Sequence, residues 1–122
     1  SFIRRAQAGD DLIMNGDGNQ IRAWCYVDDF IDGLTRCIEH PDAIGRSFNI
    51  GNPRAVITIL GLAQTVLRVL NSNSSIRFGP PLSADIGIRV PSIDLARGLL
   101  GFNPSVDLDE GIRRTAEWYS QH

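Results

Sequence analysis

The sequence predicts a small α+β domain, a mixed αβ fold with about four helices and a few short strands. Its 122 residues, 43% of them hydrophobic, match the length of one domain with one core. Apolar and polar residues alternate along 20–27, which is typical of a strand. From Asp28 the apolar spacing changes to that of a helix. We therefore treat residues 1–122 as a single domain.

The first quarter of the chain contains two predicted strands. Residues 1–9 read as the end of a helix that Gly9 closes. The turn signals Asn-Gly and Asp-Gly at 15–18 separate the apolar segment Leu12–Met14 from the alternating segment 20–27. This pattern predicts a β-hairpin at about 12–27, or a strand–loop–strand unit. The glycines do not form a dinucleotide-binding loop, since a third glycine is absent and a strand follows.

A helix is predicted from Asp28 to the residue before Pro41. Asp28 or Asp29 would cap its N-terminus. Its apolar residues at helical spacing predict one face turned to the core, formed by Phe30, Leu34, Cys37 and Ile38. A short strand is predicted near 47–50.

The second half alternates helices with one more strand. A helix from a Thr58 cap to about residue 70 is apolar almost all round, which predicts packing against a missing element or a second copy. A strand is predicted near 76–78. Ser92 would cap a helix that Gly101 closes, and a capping box at 107–110 opens the last helix.

Composition excludes several classes of function. Twelve basic and fourteen acidic residues give a net charge of −2, so no basic patch for nucleic acid is expected. The basic residues other than histidine are all arginine, so this chain cannot supply a Schiff-base lysine or a Tyr–Lys proton relay. No apolar run is long enough to predict a membrane partner, and the charged first twenty residues do not resemble a signal peptide. Cytoplasmic location is therefore expected.

Cysteine and histidine are too few to predict a metal centre. Cys25 and Cys37 read as two thiols in a reducing compartment rather than as a disulfide framework. The two histidines, His40 and His122, have no metal-ligand spacing. No metal site is expected.

Two arginines are candidates for binding an anion. Arg22 shares a strand face with Trp24 and Tyr26, and a half-buried arginine is costly unless it meets an anion. A surface arginine lying over aromatic rings is the alternative. Arg89 precedes a predicted helix in an irregular segment, where it would bind a ligand, remain in solvent or pair with Asp85.

Five motifs occur in an order that resembles the extended short-chain dehydrogenase/reductase family. More specifically, they resemble the C-terminal, substrate-binding part of its NAD-dependent nucleotide-sugar epimerases, dehydratases and decarboxylases. The motifs are GDGNQIRAWCYVDD at 16–29, FNIGNP at 48–53, RVPSI at 89–93, LLGFNP at 99–104 and LDEGI at 108–112.

The resemblance implies roles for particular residues. It implies that Leu12, Ile13 and Met14 pass the nucleotide base through backbone contacts, that Arg22 binds the diphosphate, and that Arg89 reaches the nucleotide-sugar. In decarboxylases of this family, the residue matching Arg89 has an acid role near the sugar carboxylate. The ligand would be a UDP- or dTDP-linked sugar.

The resemblance also implies what lies elsewhere in such an enzyme. NAD is the family's cofactor, and it takes a hydride from C4 of the sugar. Its site and the Tyr-x-x-x-Lys pair belong to an N-terminal Rossmann domain, which we expect to be absent from these residues. No turnover is therefore expected from this chain alone.

The chain departs from the family pattern at two places, and two other functions stay open. Leu82–Asp85 stands where epimerases often carry a phosphate-binding arginine, and Ser92 where many relatives carry aspartate. One alternative is a non-enzymatic truncated relative that acts through self-association or partner binding. Another is an unrelated αβ domain with convergent motifs, which absence of the hairpin would favour.

Overall fold

The computed structural model describes residues 1–83 and 87–122. Its helices are α1 (Phe2–Ala8), α2 (Val27–Glu39), α3 (Ile59–Val69), α4 (Asp94–Leu100) and α5 (Leu108–Gln121), with a 3₁₀ turn at Pro41–Ala43. Its strands are β1 (Leu12–Asn15), β2 (Ile21–Ala23), β3 (Val56–Thr58), β4 (Ile76–Gly79) and β5 (Ile88–Arg89). The predicted small mixed αβ fold is confirmed, with five α-helices in the described residues instead of about four.

The predicted hairpin at 12–27 is wrong, and the strand–loop–strand alternative is correct. β1 pairs in parallel with β4, while β2 lies in a second sheet between antiparallel β3 and parallel β5. The turn between them contains Gly16 and Gly18 at positive φ. Gly18 lies under the Met14 sulfur and beside Leu60, so this turn carries the chain from one sheet to the other instead of folding β2 back onto β1.

The predicted strand near 47–50 is also wrong, whereas the strand near 76–78 is confirmed as β4. Phe48 and Ile50 pack against a hydrophobic cluster, and the Ile50 side chain covers Gly33 of α2. Side-chain packing therefore fixes this segment, and no strand among the described residues pairs with it.

Most helix boundaries follow their local signals. Thr58 accepts a hydrogen bond from Gly61 N at 2.9 Å, and Asp107 accepts one from Glu110 N at 2.9 Å, so both predicted caps are confirmed. Gly9 and Gly101 end their helices in the left-handed conformation. The prediction for Ser92 is wrong, because α4 begins at Asp94 after Ile93, whose side chain is buried in the core.

Most of the buried apolar residues form two hydrophobic clusters. The first joins α1, β1, α3 and α5 and contains Ala6, Leu12, Met14, Ala63, Val66 and Ile112. The second lies around α4 and contains Ala43, Ile93, Ala96, Leu100 and Phe102. No helix in the described ranges is long and apolar enough to cross a bilayer.

The exposed apolar helix is α2, not α3. The large apolar side chains of α3 are at least partly buried against the first cluster, so the predicted missing neighbour of this helix is supplied by α1, α5 and β1. On α2 the buried residues are Asp29 and Gly33, whereas Phe30, Leu34 and Ile38 are 45%, 49% and 77% exposed. The predicted core face of α2 is therefore wrong for these three residues and correct for Cys37, which packs against the second cluster. The helix packs on its domain mainly through its small glycine, against Ile50 and Phe102.

Candidate functional site

The two candidate arginines lie on neighbouring strands at the same level of one sheet. Arg22 on β2 and Arg89 on β5 are register partners in the parallel pair. Residues paired in this way project to the same side, with backbones roughly 5 Å apart. Arg22 is half-buried and donates to the Ile21 carbonyl at 2.9 Å, while Arg89 is exposed. The sheet therefore brings together two cations that are distant in sequence.

An anion between the two side chains would accept charge-assisted hydrogen bonds from both guanidinium groups. The planar guanidinium suits phosphate oxygens, to which it can donate two parallel hydrogen bonds. The site is therefore chemically suited to a phosphate or diphosphate.

The three β1 residues lie in the other sheet. Leu12 and Met14 are fully buried in the first cluster, so their side chains cannot contact a ligand, and Ile13 is exposed. In the described part of the chain β1 pairs only with β4, which leaves its second edge open to backbone contacts. The predicted pairing of Arg89 with Asp85 falls on a residue outside the described ranges.

Asp29 has a role that the sequence did not indicate. The prediction that Asp28 or Asp29 caps α2 is wrong, because the helix begins at Val27 and no side chain among the described residues caps it. Instead the buried Asp29 carboxylate accepts hydrogen bonds from Ser105 N at 3.1 Å and Val106 N at 2.9 Å. It fixes the loop between α4 and α5 to the start of α2. No local signal distinguishes it from Asp28, since its partners are more than seventy residues away.

An apolar cavity of about 490 Å³ lies between α1, α3, α5 and the end of β2. It is lined by Phe2, Leu62, Ile112, Trp24 and Cys25, among others, and neither candidate arginine lines it. Trp24 Nε1 is buried without an acceptor among the described residues. Burial and the nearby Asp29 carboxylate raise the pKa of the Cys25 thiol, which keeps it protonated at neutral pH. This lining suits an apolar group and not a diphosphate.

The sequence is similar to characterised enzymes along almost its whole length. A model of the NAD dependent epimerase/dehydratase family matches residues 1–51. UDP-glucuronic acid decarboxylase 1 of Danio rerio is 37% identical over 99% of this chain and 28% of its own length. UDP-glucuronic acid decarboxylase 5 of Arabidopsis thaliana is 38% identical over 92% of this chain and 32% of its own.

Solved structures show the same fold. UDP-glucose 4-epimerase of Thermotoga maritima, in complex with UDP-glucose, superposes with a TM-score of 0.90 at 26% identity over 98% of this chain and 38% of its own. UDP-glucuronic acid 4-epimerase of Bacillus cereus, in complex with UDP-glucuronic acid and NAD, gives a TM-score of 0.90 at 25% identity with the same coverage. The chain thus spans about a third of the length of these relatives.

The absence of the hairpin would favour an unrelated αβ domain with convergent motifs. However, the sequence and the fold match those of the relatives along almost all of the chain, so the similarity is not limited to short motifs. The chain belongs to the NAD-dependent epimerase/dehydratase family of extended short-chain dehydrogenases/reductases.

Proposed function

We propose that this chain is the nucleotide-diphosphate-sugar-binding portion of an NAD-dependent epimerase, dehydratase or decarboxylase. The observation that carries the proposal is the pairing of Arg22 with Arg89 in one sheet. Backbone groups at the open edge of β1 would contact the base, and the two guanidinium groups would bind the diphosphate. The relatives act on or bind UDP-sugars, which supports a UDP- or dTDP-linked ligand.

The hydride transfer to NAD and the Tyr–Lys proton relay are assigned to residues outside this chain. The Gly16–Gly18 turn leads into strand β2 and not into a helix, so it does not supply the helix N-terminus that holds a dinucleotide pyrophosphate. This turn does not fit NAD, and we place the NAD site in another part of the enzyme. If the parent enzyme is a decarboxylase, and so a lyase rather than an isomerase, Arg89 is its candidate acid near the sugar carboxylate.

The proposed location is the cytoplasm. Cys25 and Cys37 are both free thiols in the structure, as a reducing compartment favours.

Calorimetric titration of the 122-residue chain with UDP-glucuronic acid, UDP and uridine tests this function. Uridine should bind much more weakly than the two diphosphates. Arg22→Ala and Arg89→Ala should each weaken UDP binding by about 10- to 100-fold, because each loses a charge-assisted contact. Arg46→Ala, at an exposed arginine outside both sheets, is the matched control.

Circular dichroism of each variant separates lost binding from lost folding. Equal affinities for uridine and UDP, or unchanged binding after both arginine substitutions, would refute the site. NAD-dependent turnover of UDP-glucuronic acid by this chain alone would contradict the assignment of chemistry to residues elsewhere.

A non-enzymatic module that acts through self-association is the second candidate. The apolar helix that motivated it at 58–70 is packed in the core, but α2 offers another surface.

A further inference from the structure

Arg89 lies in a strand that is too short to fix its own position. β5 has two residues, both exposed, and among the described strands it pairs only with β2. The Ile21 N–H donates to the Gly87 carbonyl at 2.6 Å, which joins the start of this segment to β2. A strand of this length has few contacts of its own. The placement of Arg89 beside Arg22 therefore depends on what holds the chain at the other end of β5.

At that end Pro91 lies against Gly51. The approach is so close that a methyl group added at position 51 would lie 2.9 Å from Pro91 Cγ. Carbon atoms in ordinary contact are about 3.5–4.0 Å apart, so a side chain at this position would collide with the proline ring. Gly51 is buried, and its φ lies outside the left-handed region. The close approach of the proline, and not the backbone conformation, therefore requires a glycine here.

The turn that contains Gly51 is held on both sides. Before it, Ile50 packs against the second cluster. After it, the buried Asn52 side chain donates to the Val106 carbonyl at 3.3 Å. Residues 87–90, by contrast, are all exposed. If a side chain were added at position 51, the strand would therefore move and the turn would stay in place.

We propose that Gly51 is a positioning residue for Arg89. By leaving room for Pro91, it lets β5 stay hydrogen-bonded to β2, where Arg89 lies beside Arg22. A shift of the proline ring would reach Arg89, because only one residue separates the two. The inference rests on the proposed diphosphate site, since the position of Arg89 affects binding only if Arg89 contacts the ligand.

Gly51→Ala tests this role through nucleotide binding. Calorimetric titration of the 122-residue chain should show UDP bound about tenfold more weakly and uridine bound as before, because uridine has no diphosphate. Gly51→Ala should have no further effect in the Arg89→Ala background, and it should still weaken UDP binding in the Arg22→Ala background. Gly98→Ala is the matched control, since a methyl group added there would meet no described atom beyond its own helix within 4 Å.

A second substitution at Pro91 should reverse the effect. Pro91→Ala removes Cγ, and the remaining Cβ would lie 3.8 Å from the new methyl group, which is an ordinary contact. The double variant Gly51→Ala/Pro91→Ala should therefore bind UDP as tightly as Pro91→Ala alone. This comparison separates the collision from any effect of losing the rigid ring.

Hydrogen exchange measured by NMR reports the position of β5 without any nucleotide. The Ile21 amide donates to Gly87, next to β5, and the Trp24 amide donates to the Ala55 carbonyl at 3.0 Å on the opposite side of β2. Gly51→Ala should speed exchange at Ile21 at least about tenfold and leave exchange at Trp24 unchanged. Circular dichroism melting shows whether each variant is folded.

Unchanged exchange at Ile21 would overturn the proposal. Faster exchange at both amides would also overturn it, because the substitution would then loosen the whole domain. So would UDP binding that Gly51→Ala leaves unchanged, that it weakens equally with and without Arg89, or that Pro91→Ala does not restore. A wild-type chain that binds uridine as tightly as UDP would refute the diphosphate site instead, and exchange at Ile21 would still decide whether Gly51 positions β5.

Discussion

Replacing Asp29 with alanine removes the carboxylate that joins the start of α2 to the loop before α5. Besides a longer hydrogen bond from Ser105 Oγ at 3.4 Å, the change breaks two charge-assisted hydrogen bonds from backbone N–H groups, from Ser105 N at 3.1 Å and from Val106 N at 2.9 Å. Each is worth about 1.5–3 kcal/mol, and the two backbone N–H groups left behind are partly shielded from water. We expect Asp29→Ala to lower the free energy of unfolding by about 3–5 kcal/mol, a large part of a small domain's total.

Urea denaturation followed by circular dichroism measures this loss. Asp29→Asn should cost less, about 2–3 kcal/mol, since one amide oxygen can still accept a hydrogen bond. The matched control is Asp28→Ala. Asp28 is exposed in the same first turn, so it loses only a favourable interaction with the helix dipole, worth about 0.3–1 kcal/mol. Equal losses of unfolding free energy in Asp29→Ala and Asp28→Ala would refute the role of Asp29 in holding the loop before α5.

Three further predictions concern turns and helix ends. Gly18→Ala should cost about 2–4 kcal/mol in chemical denaturation, because its φ is positive and the new methyl meets the Met14 sulfur. Gly9→Ala, at a similar φ with nothing near, should cost only about 1 kcal/mol; equal costs would exclude the steric cause. Thr58→Ala should lower the free energy of unfolding by about 1 kcal/mol, because it removes the N-terminal cap of α3. An unchanged denaturation midpoint would argue against that cap. Arginines on α5 lower the pKa of Glu110 from 4.5 to about 2, so its contribution to stability should be present above pH 4.5 and lost as the pH falls toward 2. Thermal melting at low salt should show that the stability of Glu110→Gln falls less steeply with pH over that range than the stability of the wild type. Equal slopes of stability against pH would contradict the contribution of Glu110.

The predictions that succeeded depend on signals within a few residues. Thr58 and Asp107 mark helix starts, and Gly9 and Gly101 mark helix ends, because each satisfies a backbone group in its own turn. Such signals need no knowledge of distant packing. The helices were therefore predictable from the sequence.

The predictions that failed depend on distant partners. The turn at 15–18 could not show that β1 pairs with β4. Apolar spacing on α2 identified a stripe, but the side that packs on the domain is marked by Gly33, whose missing side chain makes room for Ile50 and Phe102. Apolarity alone therefore gave the wrong orientation.

The candidate site was predicted in part. Arg22 and Arg89 were both identified as anion-binding candidates, the first from its aromatic neighbours in sequence and both from their motifs. Their adjacency depends on the register of β2 with β5. The role of Asp29 was predicted wrongly, because a carboxylate in the first turn of a helix ordinarily interacts with the helix dipole. Here it accepts hydrogen bonds from a loop that is distant in sequence.

The two hydrophobic clusters bear on how the chain unfolds. Each is too small to be a domain core by itself, so the fold can melt in one step only if loss of either cluster removes support from the other. The loop that follows Gly101 runs from the second cluster, around α4, to the first cluster, which includes α5. The Asp29 carboxylate accepts hydrogen bonds from backbone groups within this loop. A single side chain therefore helps to determine whether this fold unfolds cooperatively or opens one half at a time.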